Sequence, residues 1–292
     1  MVYYENSKYQ SEHTADQYDK YLPEYYFFDE ENREYIEEKI MIEKKLSGEN
    51  FKSVLELGVG SGRVTELLMS KAKQYTGIDI SESMIKKIEQ RFYMKECQFE
   101  VFDINDFLNE NLENLKQYDF IGSFWAFNYA ILSFFEYQDL CTGKVYAVDD
   151  LVKAEELAKE HFEKVFNNLN KGTKFLFVYF DAYSVEQAYV TSVLEWILPS
   201  PYNDRGFTFK LFNNLLCNLD NVEVTHEYKN GFVILSDDEH LIGYFSNLHL
   251  KGYLEDSEAI ELLVNNFRAY RYEDGHYEIP AGVNLLYGHI TM

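Results

Sequence analysis

Cysteine and positive charge are both scarce in this chain, and each shortage narrows what it can be. Three cysteines occur in 292 residues, Cys97, Cys141 and Cys217. They are far apart, odd in number and form no CxxC pair, so neither a disulfide framework nor a zinc site is indicated and no metal is expected. A reducing cytoplasm suits them. Lys and Arg total 27 against 50 Asp and Glu, a net charge of 27 − 50 = −23. Such a surface repels phosphate backbones, which argues against a nucleic acid substrate. It attracts cations, which suits an amine or a basic peptide, although acidity also serves solubility alone. Long apolar runs are missing. The most apolar stretch, 120–135, is interrupted by Ser123, Asn128 and Ser133 and is too short and polar to span a membrane. The start, Met-Val-Tyr-Tyr-Glu-Asn, has no basic region and no apolar core, so no signal peptide is expected. The expectation is a cytoplasmic protein off the membrane, a monomer or homodimer.

What the chain does have is apolar and aromatic mass. The hydrophobic share is 46%, enough for a packed interior, and the length allows one large domain or two ordinary ones. Twenty-five Tyr and 23 Phe predict an aromatic core and an aromatic pocket.

Strand and helix patterns alternate along most of the chain. The early segment is polar and aromatic, with a break at Pro23, and the spacing of Tyr35, Ile36, Ile40, Ile42 and Leu46 predicts a helix over 30–46. Tyr18 and Tyr21, ahead of the first core strand, are candidates for a lid. Strands are predicted at 53–57, 74–80, 97–102, 120–125 and 174–180. A helix carries Ala154, Leu157, Ala158, His161, Phe162, Val165, Phe166 and Leu169 on one face. Strands alternating with helices imply a parallel sheet with right-handed crossovers. After residue 181 the pattern changes. Helices are predicted at 185–197 and 209–216. Strand-like runs follow at 222–228, 231–235 and 240–253, with turn signals at Asn230-Gly231 and Ser236-Asp237-Asp238. A helix at 258–266 and strands at 267–272 and 282–290 close the chain.

The chemistry centres on Glu56-Leu-Gly-Val-Gly-Ser-Gly62. A strand feeding a glycine turn into a helix start exposes N–H groups, and glycine lets a ligand approach the backbone without meeting a Cβ. An ordinary tight strand-to-helix turn would use the same residues. Dinucleotide sites prefer G-x-G-x-x-G, but Arg63 stands where the last glycine would be. Polar groups also fall at the carboxyl ends of successive strands, where open parallel sheets bind ligands. Asp79 could accept both hydroxyls of a ribose. Asp103 could accept from an adenine amino group, with Ile104 packing on the ring. Asn128 and Tyr129 follow the fourth strand and Asp181 follows the fifth. Any one of these carboxylates could equally be a helix cap.

Over 51–180 the chain resembles the class I S-adenosylmethionine (SAM)-dependent methyltransferases. The matching strings are Val54-Leu-Glu-Leu-Gly-Val-Gly-Ser-Gly62, Gly77-Ile-Asp-Ile-Ser-Glu-Ser-Met84, Phe102-Asp-Ile-Asn-Asp-Phe107 and Tyr118-Asp-Phe-Ile. The resemblance implies that Gly58, Gly60 and Gly62, with Glu56, hold the methionine part of SAM. Asp79 would bind the ribose, with Ile80 beside the adenine. Asp103 and Ile104 would flank the adenine, Phe124 would line the methionine side, and Tyr18 would cover the cofactor. It implies a Rossmann-like, doubly wound α/β fold, a mostly parallel sheet with an antiparallel β-rich insertion after the fifth strand. The expected organisation is an N-terminal helical lid over 1–50, a SAM-binding core over 51–181, a substrate-pocket insertion over 182–253, and a closing helix and strands over 254–292.

The reaction so implied is in-line displacement at the sulfonium methyl, accelerated by alignment. Trp125, Asn128, Tyr129, Tyr183 and Trp196 are candidates for the acceptor wall. The aromatic ones could hold a cation, though core packing would also account for each. Asp181 is the candidate for orienting or deprotonating an amine, with His161 and His226 as weaker candidates for a base. The expected activity is N-methylation of a small molecule or basic peptide, with S-adenosylhomocysteine (SAH) as spent cofactor. Alternatives are an O-methyltransferase acting in natural product or sugar biosynthesis, and a SAM- or nucleotide-binding module without catalysis.

Overall fold

The computed structural model of the protein describes residues 18–92, 97–138, 145–250, 253–254 and 256–292. A helical stretch at 18–21 precedes a hairpin of β1 (Glu24–Asp29) and β2 (Glu34–Glu37), which α1 (Glu38–Lys45) follows. Strand and helix then alternate through β3 (Phe51–Leu57), α2 (Thr65–Lys71), β4 (Ala72–Asp79), α3 (Glu82–Phe92), β5 (Cys97–Val101) and α4 (Ile104–Glu110). Next come β6 (Phe120–Phe124), α5 (Phe127–Leu132), the small hairpin β7 (Glu136–Gln138) and β8 (Val145–Ala147), α6 (Leu151–Asn167) and β9 (Lys174–Phe180). The last part holds α7 (Val185–Leu194), α8 (Phe207–Asn218), β10 (Val222–Leu235), α9 (Asp238–Tyr244), α10 (Ser257–Phe267) and β11 (Tyr277–Ile290).

Nine strands form one sheet in the order β2-β1-β10-β11-β9-β6-β3-β4-β5. β5, β4, β3, β6 and β9 are mutually parallel, and β11 runs antiparallel between β9 and β10. The chain leaves β3 toward one edge and returns on the other side with β6, so the order reverses between those two strands. The crevice outside their carboxyl ends is where sheets of this kind bind ligands. Among the described residues no helix is long and apolar enough to cross a membrane.

Alternate residues of the buried strands feed two cores. Val54 and Val178 point into one layer with Tyr25, Trp125, Tyr244 and Phe245. Leu55, Phe177 and Tyr179 point into the other with Phe127, Phe162, Phe166 and Phe212. Phe212, on α8, is fully buried, and its ring centre lies 4.7 Å from Phe127, 5.1 Å from Phe177 and 5.6 Å from Phe162.

Several local expectations are corrected. Residues 30–46 are not one helix. Tyr35 and Ile36 lie in β2, where Tyr35 packs edge-on against Phe28, and the helix starts only at Glu38. The described part of the expected helical lid is helical at 18–21 and in α1, with a hairpin between them that extends the sheet. Nor is 182–253 a β-rich insertion. It holds α7, α8 and α9, and its strand residues form the single β10, paired to β11 along its whole length. Asn230-Gly231 makes no turn. A Cβ on Gly231 would stand 2.0 Å from the Tyr26 carbonyl oxygen, so glycine here lets β1 approach β10. Ser236-Asp237-Asp238 ends a strand and starts a helix, because Asp237 caps α9 by accepting from the His240 amide at 2.8 Å. Residues 268–270 form a helical turn rather than a strand. Leu157, expected on the buried face of α6, is 44% exposed. Cys141 lies outside the described residues, and Cys97 and Cys217 are free.

A buried carboxyl group sits in the first of the two layers. Glu186 on α7 accepts from Tyr25 at 3.1 Å, from the side chain of Gln187 at 2.7 Å and from the Tyr244 hydroxyl. Burial raises its pKa from 4.5 to about 7, against the pull of those hydrogen bonds.

Two outcomes follow from this packing. Phe212→Ala should lower the unfolding free energy by about 3–5 kcal/mol in urea titrations, and a loss below about 1 kcal/mol would mean that α8 is not part of the core. Because Glu186 binds its proton more tightly in the folded chain, its stabilising effect is full below pH 4.5 and disappears as the pH rises through 7. Relative to Glu186→Gln, the wild type should lose about 1.4 kcal/mol per pH unit across that window. A difference that does not vary with pH would refute the assignment.

Candidate active site

The turn after β3 is held by its neighbours more than its sequence suggests. The amides of Gly58 and Val59 both donate to the Ile78 carbonyl on β4, at 2.9 and 3.0 Å, and the Gly62 amide donates to Val59 at 3.0 Å. The amide of Gly60 donates to Asp79 Oδ2 at 2.8 Å, while Asp79 Oδ1 accepts from the Ser81 amide at 2.9 Å. The expectation of bare amides is therefore corrected for these four residues: the N–H groups of Gly58, Val59 and Gly60 brace the turn against β4, and that of Gly62 closes the turn on itself. Gly58, Gly60 and Gly62 all have positive φ, for different ends. A Cβ on Gly58 would stand 2.3 Å from the Ala126 Cβ, so the turn packs directly on the chain leaving β6. Gly60 has open space where a Cβ would be. Gly62 faces Ile88 and Phe92 of α3 and does not reach the cavity wall, so its absent side chain serves helix packing.

A cavity of about 900 Å³ opens beside this turn, at the carboxyl ends of the central strands. Glu56, Gly58, Gly60, Asp79, Ile80, Asp103, Ile104, Phe124 and Tyr18 all line it. Glu56 is buried, with Oε2 accepting from Thr65 at 2.9 Å and from the Tyr75 hydroxyl, and burial raises its pKa to about 7. Burial also raises Asp79 above the usual carboxylate range, opposed by its two amide donors. Asp103 serves as the cap of α4, with Oδ1 accepting from the amides of Asn105 at 2.8 Å and Asp106 at 3.2 Å, and it faces the cavity as well. Burial pushes the Tyr18 phenol to about 12.

The same wall carries most of the acceptor candidates. Trp125, Asn128, Tyr129, Asp181 and Tyr183 line the same cavity. Asp181 follows β9 and accepts from the Tyr183 amide at 3.0 Å and the Tyr228 hydroxyl at 3.2 Å. Gly282 on β11 makes room for this pair, since a Cβ there would meet the Tyr228 hydroxyl at 2.8 Å and Asp181 at 2.9 Å. His226 also lines the cavity, with Nε2 2.8 Å from Asn284 Oδ1. His161 does not. It packs beside Phe134 and Phe162, and burial lowers its pKa to about 4. Trp196 is corrected too: it sits 69% exposed on the turn after α7, edge-on to Tyr253 and off the cavity wall.

Three features of the wall were not legible in the chain. Arg63 pairs with the buried Glu38 and stands over the Tyr25 ring at 5.2 Å. Trp125 adopts a positive φ of 66°, donates its ring N–H to the same Glu38, and stacks on Tyr25 at 5.6 Å. The Tyr179 hydroxyl is buried on the wall with no hydrogen-bond partner among the described residues. These contacts join residues distant in the chain, and no local spacing announces them.

Comparison with known proteins bears on this arrangement. The family model described as Methyltransferase domain matches residues 49–201. No curated protein matches the sequence. Among solved structures the chain is similar to the YcgJ protein from Bacillus subtilis, at 11% identity over 87% of this chain and 98% of that one, with a TM-score of 0.48. It is also similar to the N-methyltransferase NodS from Bradyrhizobium japonicum, solved with SAH, at 13% identity over 86% and 84% with a TM-score of 0.42. A third is phosphoethanolamine N-methyltransferase 2 from Haemonchus contortus, solved with SAM, at 13% identity over 99% and 59% with a TM-score of 0.46. The domain match spans more than half of the chain, from just before β3 to beyond α7, and so the chain belongs to the methyltransferase domain family, as a class I SAM-dependent methyltransferase.

Proposed function

We propose that the chain transfers the methyl group of SAM to an amine nitrogen of a small molecule or peptide. One observation supports the acceptor reading: the charge balance of the cavity wall. Among the described residues, each Lys and Arg on that wall is already paired. Arg63 meets Glu38, Arg205 meets Glu136 at 3.1 Å, and Lys210 meets Asp204 at 2.6 Å. Asp181 accepts only from neutral groups. An ammonium group therefore meets a carboxylate with no cation on it, whereas a phosphate or carboxylate would have to break an existing ion pair.

The turn suits the cofactor. Gly60 leaves room for a ligand where any other residue would project a Cβ. Each oxygen of Asp79 has one amide donor and retains a lone pair for a sugar hydroxyl. Ile80 and Ile104 offer apolar faces to the adenine, and Asp103 an acceptor for its amino group. Phe124 and Tyr18 border the methionine part, while Glu56 acts from beneath by bracing Thr65 and Tyr75. Bound SAM supplies a methyl group on a positively charged sulfur. Asp181 orients the ammonium group and accepts its proton, which frees the nitrogen lone pair. Trp125, Asn128, Tyr129 and Tyr183 hold the acceptor in line, which is where most of the acceleration arises.

Asp79→Ala should raise the Kd for SAH by about tenfold or more in calorimetry, the loss of one or two charge-assisted hydrogen bonds. An unchanged Kd would remove Asp79 from the cofactor site. With methyl-labelled SAM and a panel of primary and secondary amines, Asp181→Ala should cut kcat by about 10²–10⁴, with SAH affinity held within about twofold. Labelling of hydroxyl acceptors alone would sink the amine reading.

A further inference from the structure

The cavity beside the glycine turn also has an aliphatic lining. Leu132 at the end of α5, Val190 and Leu194 on α7, Ile197 on the following turn and Leu248 all face it. The ion pair of Arg205 and Glu136 on the same cavity wall is closed on itself, with side chains only 15% and 7% exposed. At about 900 Å³ the whole cavity lies near the top of the range for one bound ligand, so it can hold a second molecule beside the cofactor. Asp181 stands on the same wall, with Tyr183 and Tyr228 next to it, 60% and 51% exposed.

We infer that the acceptor is an amphiphile, an amine carried on an apolar body, with the amine at Asp181 and the body against the aliphatic side chains of Val190, Leu194, Ile197 and Leu248 in the same cavity. This builds on the amine reading above. A small zwitterion or hydrophilic amine would leave that aliphatic surface in contact with water and gain nothing from it, whereas each methylene buried there adds binding free energy. The exposed tyrosines beside Asp181 let the polar end of the acceptor enter or leave through water.

The test is calorimetry on the full chain saturated with SAH, titrated with butylamine, hexylamine, octylamine and ethanolamine. Affinity should rise about threefold to fourfold per added methylene, with ethanolamine weakest. Leu194→Gln should weaken octylamine by about tenfold and leave SAH affinity and thermal stability in place. A flat series, or ethanolamine as the tightest ligand, overturns the inference. So does a Leu194→Gln variant that is folded, binds SAH normally and keeps its full affinity for octylamine. In a parallel titration, octanol binding as tightly as octylamine would support the apolar body and overturn the amine reading, so the two failures are told apart.

Discussion

The carboxylate of Asp79 accepts the amide protons of Gly60 and Ser81 at 2.8 and 2.9 Å, and through them holds the turn after β3 against the start of α3. Around that bridge the Gly58 and Val59 amides reach the Ile78 carbonyl, and the bare face of Gly58 lies on Ala126. Three neighbouring parallel strands are thereby locked at their carboxyl ends, with the turn standing open at Gly60. Preorganisation of this kind removes the ordering that a ligand would otherwise have to impose. Desolvation raises the Asp79 pKa and its two donors oppose that rise, so the same bonds that shape the turn also favour the charged form of the carboxylate.

A second constraint shapes the opposite wall. Glu38, at the start of α1, is buried and receives both the Arg63 guanidinium and the Trp125 ring N–H. An unpaired buried carboxylate would be strongly unfavourable, and these two donors compensate it. Trp125 is held at a positive φ, a conformation that costs a non-glycine residue about 1–3 kcal/mol and persists only where the surroundings over-determine it. Packing against Tyr25 and Phe180, together with the bond to Glu38, does so here. The hairpin β1–β2 is therefore tied to the site through Tyr25 and the chain that leads into α1. The cations of the wall are internally neutralised, while Asp181 is left to neutral donors.

Much of the central sheet can be read from the chain, because its signals are local. Val54 to Leu57, Tyr75 to Ile78 and Phe175 to Phe180 are short apolar runs bounded by turns, and such runs become strands covered on both faces whatever their exact partners. The glycine spacing and the acids at strand ends are equally local. The regions misread are those where one local pattern fits two structures. Tyr35 and Ile36 satisfy a helical stripe with Ile40, yet pairing with β1 made them a strand. Asn230-Gly231 has the composition of a hairpin turn, yet the continuous partner β11 kept β10 straight through it.

The sequence by itself determined the alternation of strand and helix, the glycine turn, and the placing of Asp79, Asp103 and Asp181 at the ends of strands, because each depends on residues a few positions apart. The tertiary structure alone decided which of these face the cavity. It turned Gly62 under α3 and left Trp196 outside, and it brought Glu38 to Arg63 and Trp125 across 25 and 87 positions of chain. The physical reason is that a side chain's protonation, partners and exposure are set by what packs on it from elsewhere in the fold, and local spacing carries no record of that.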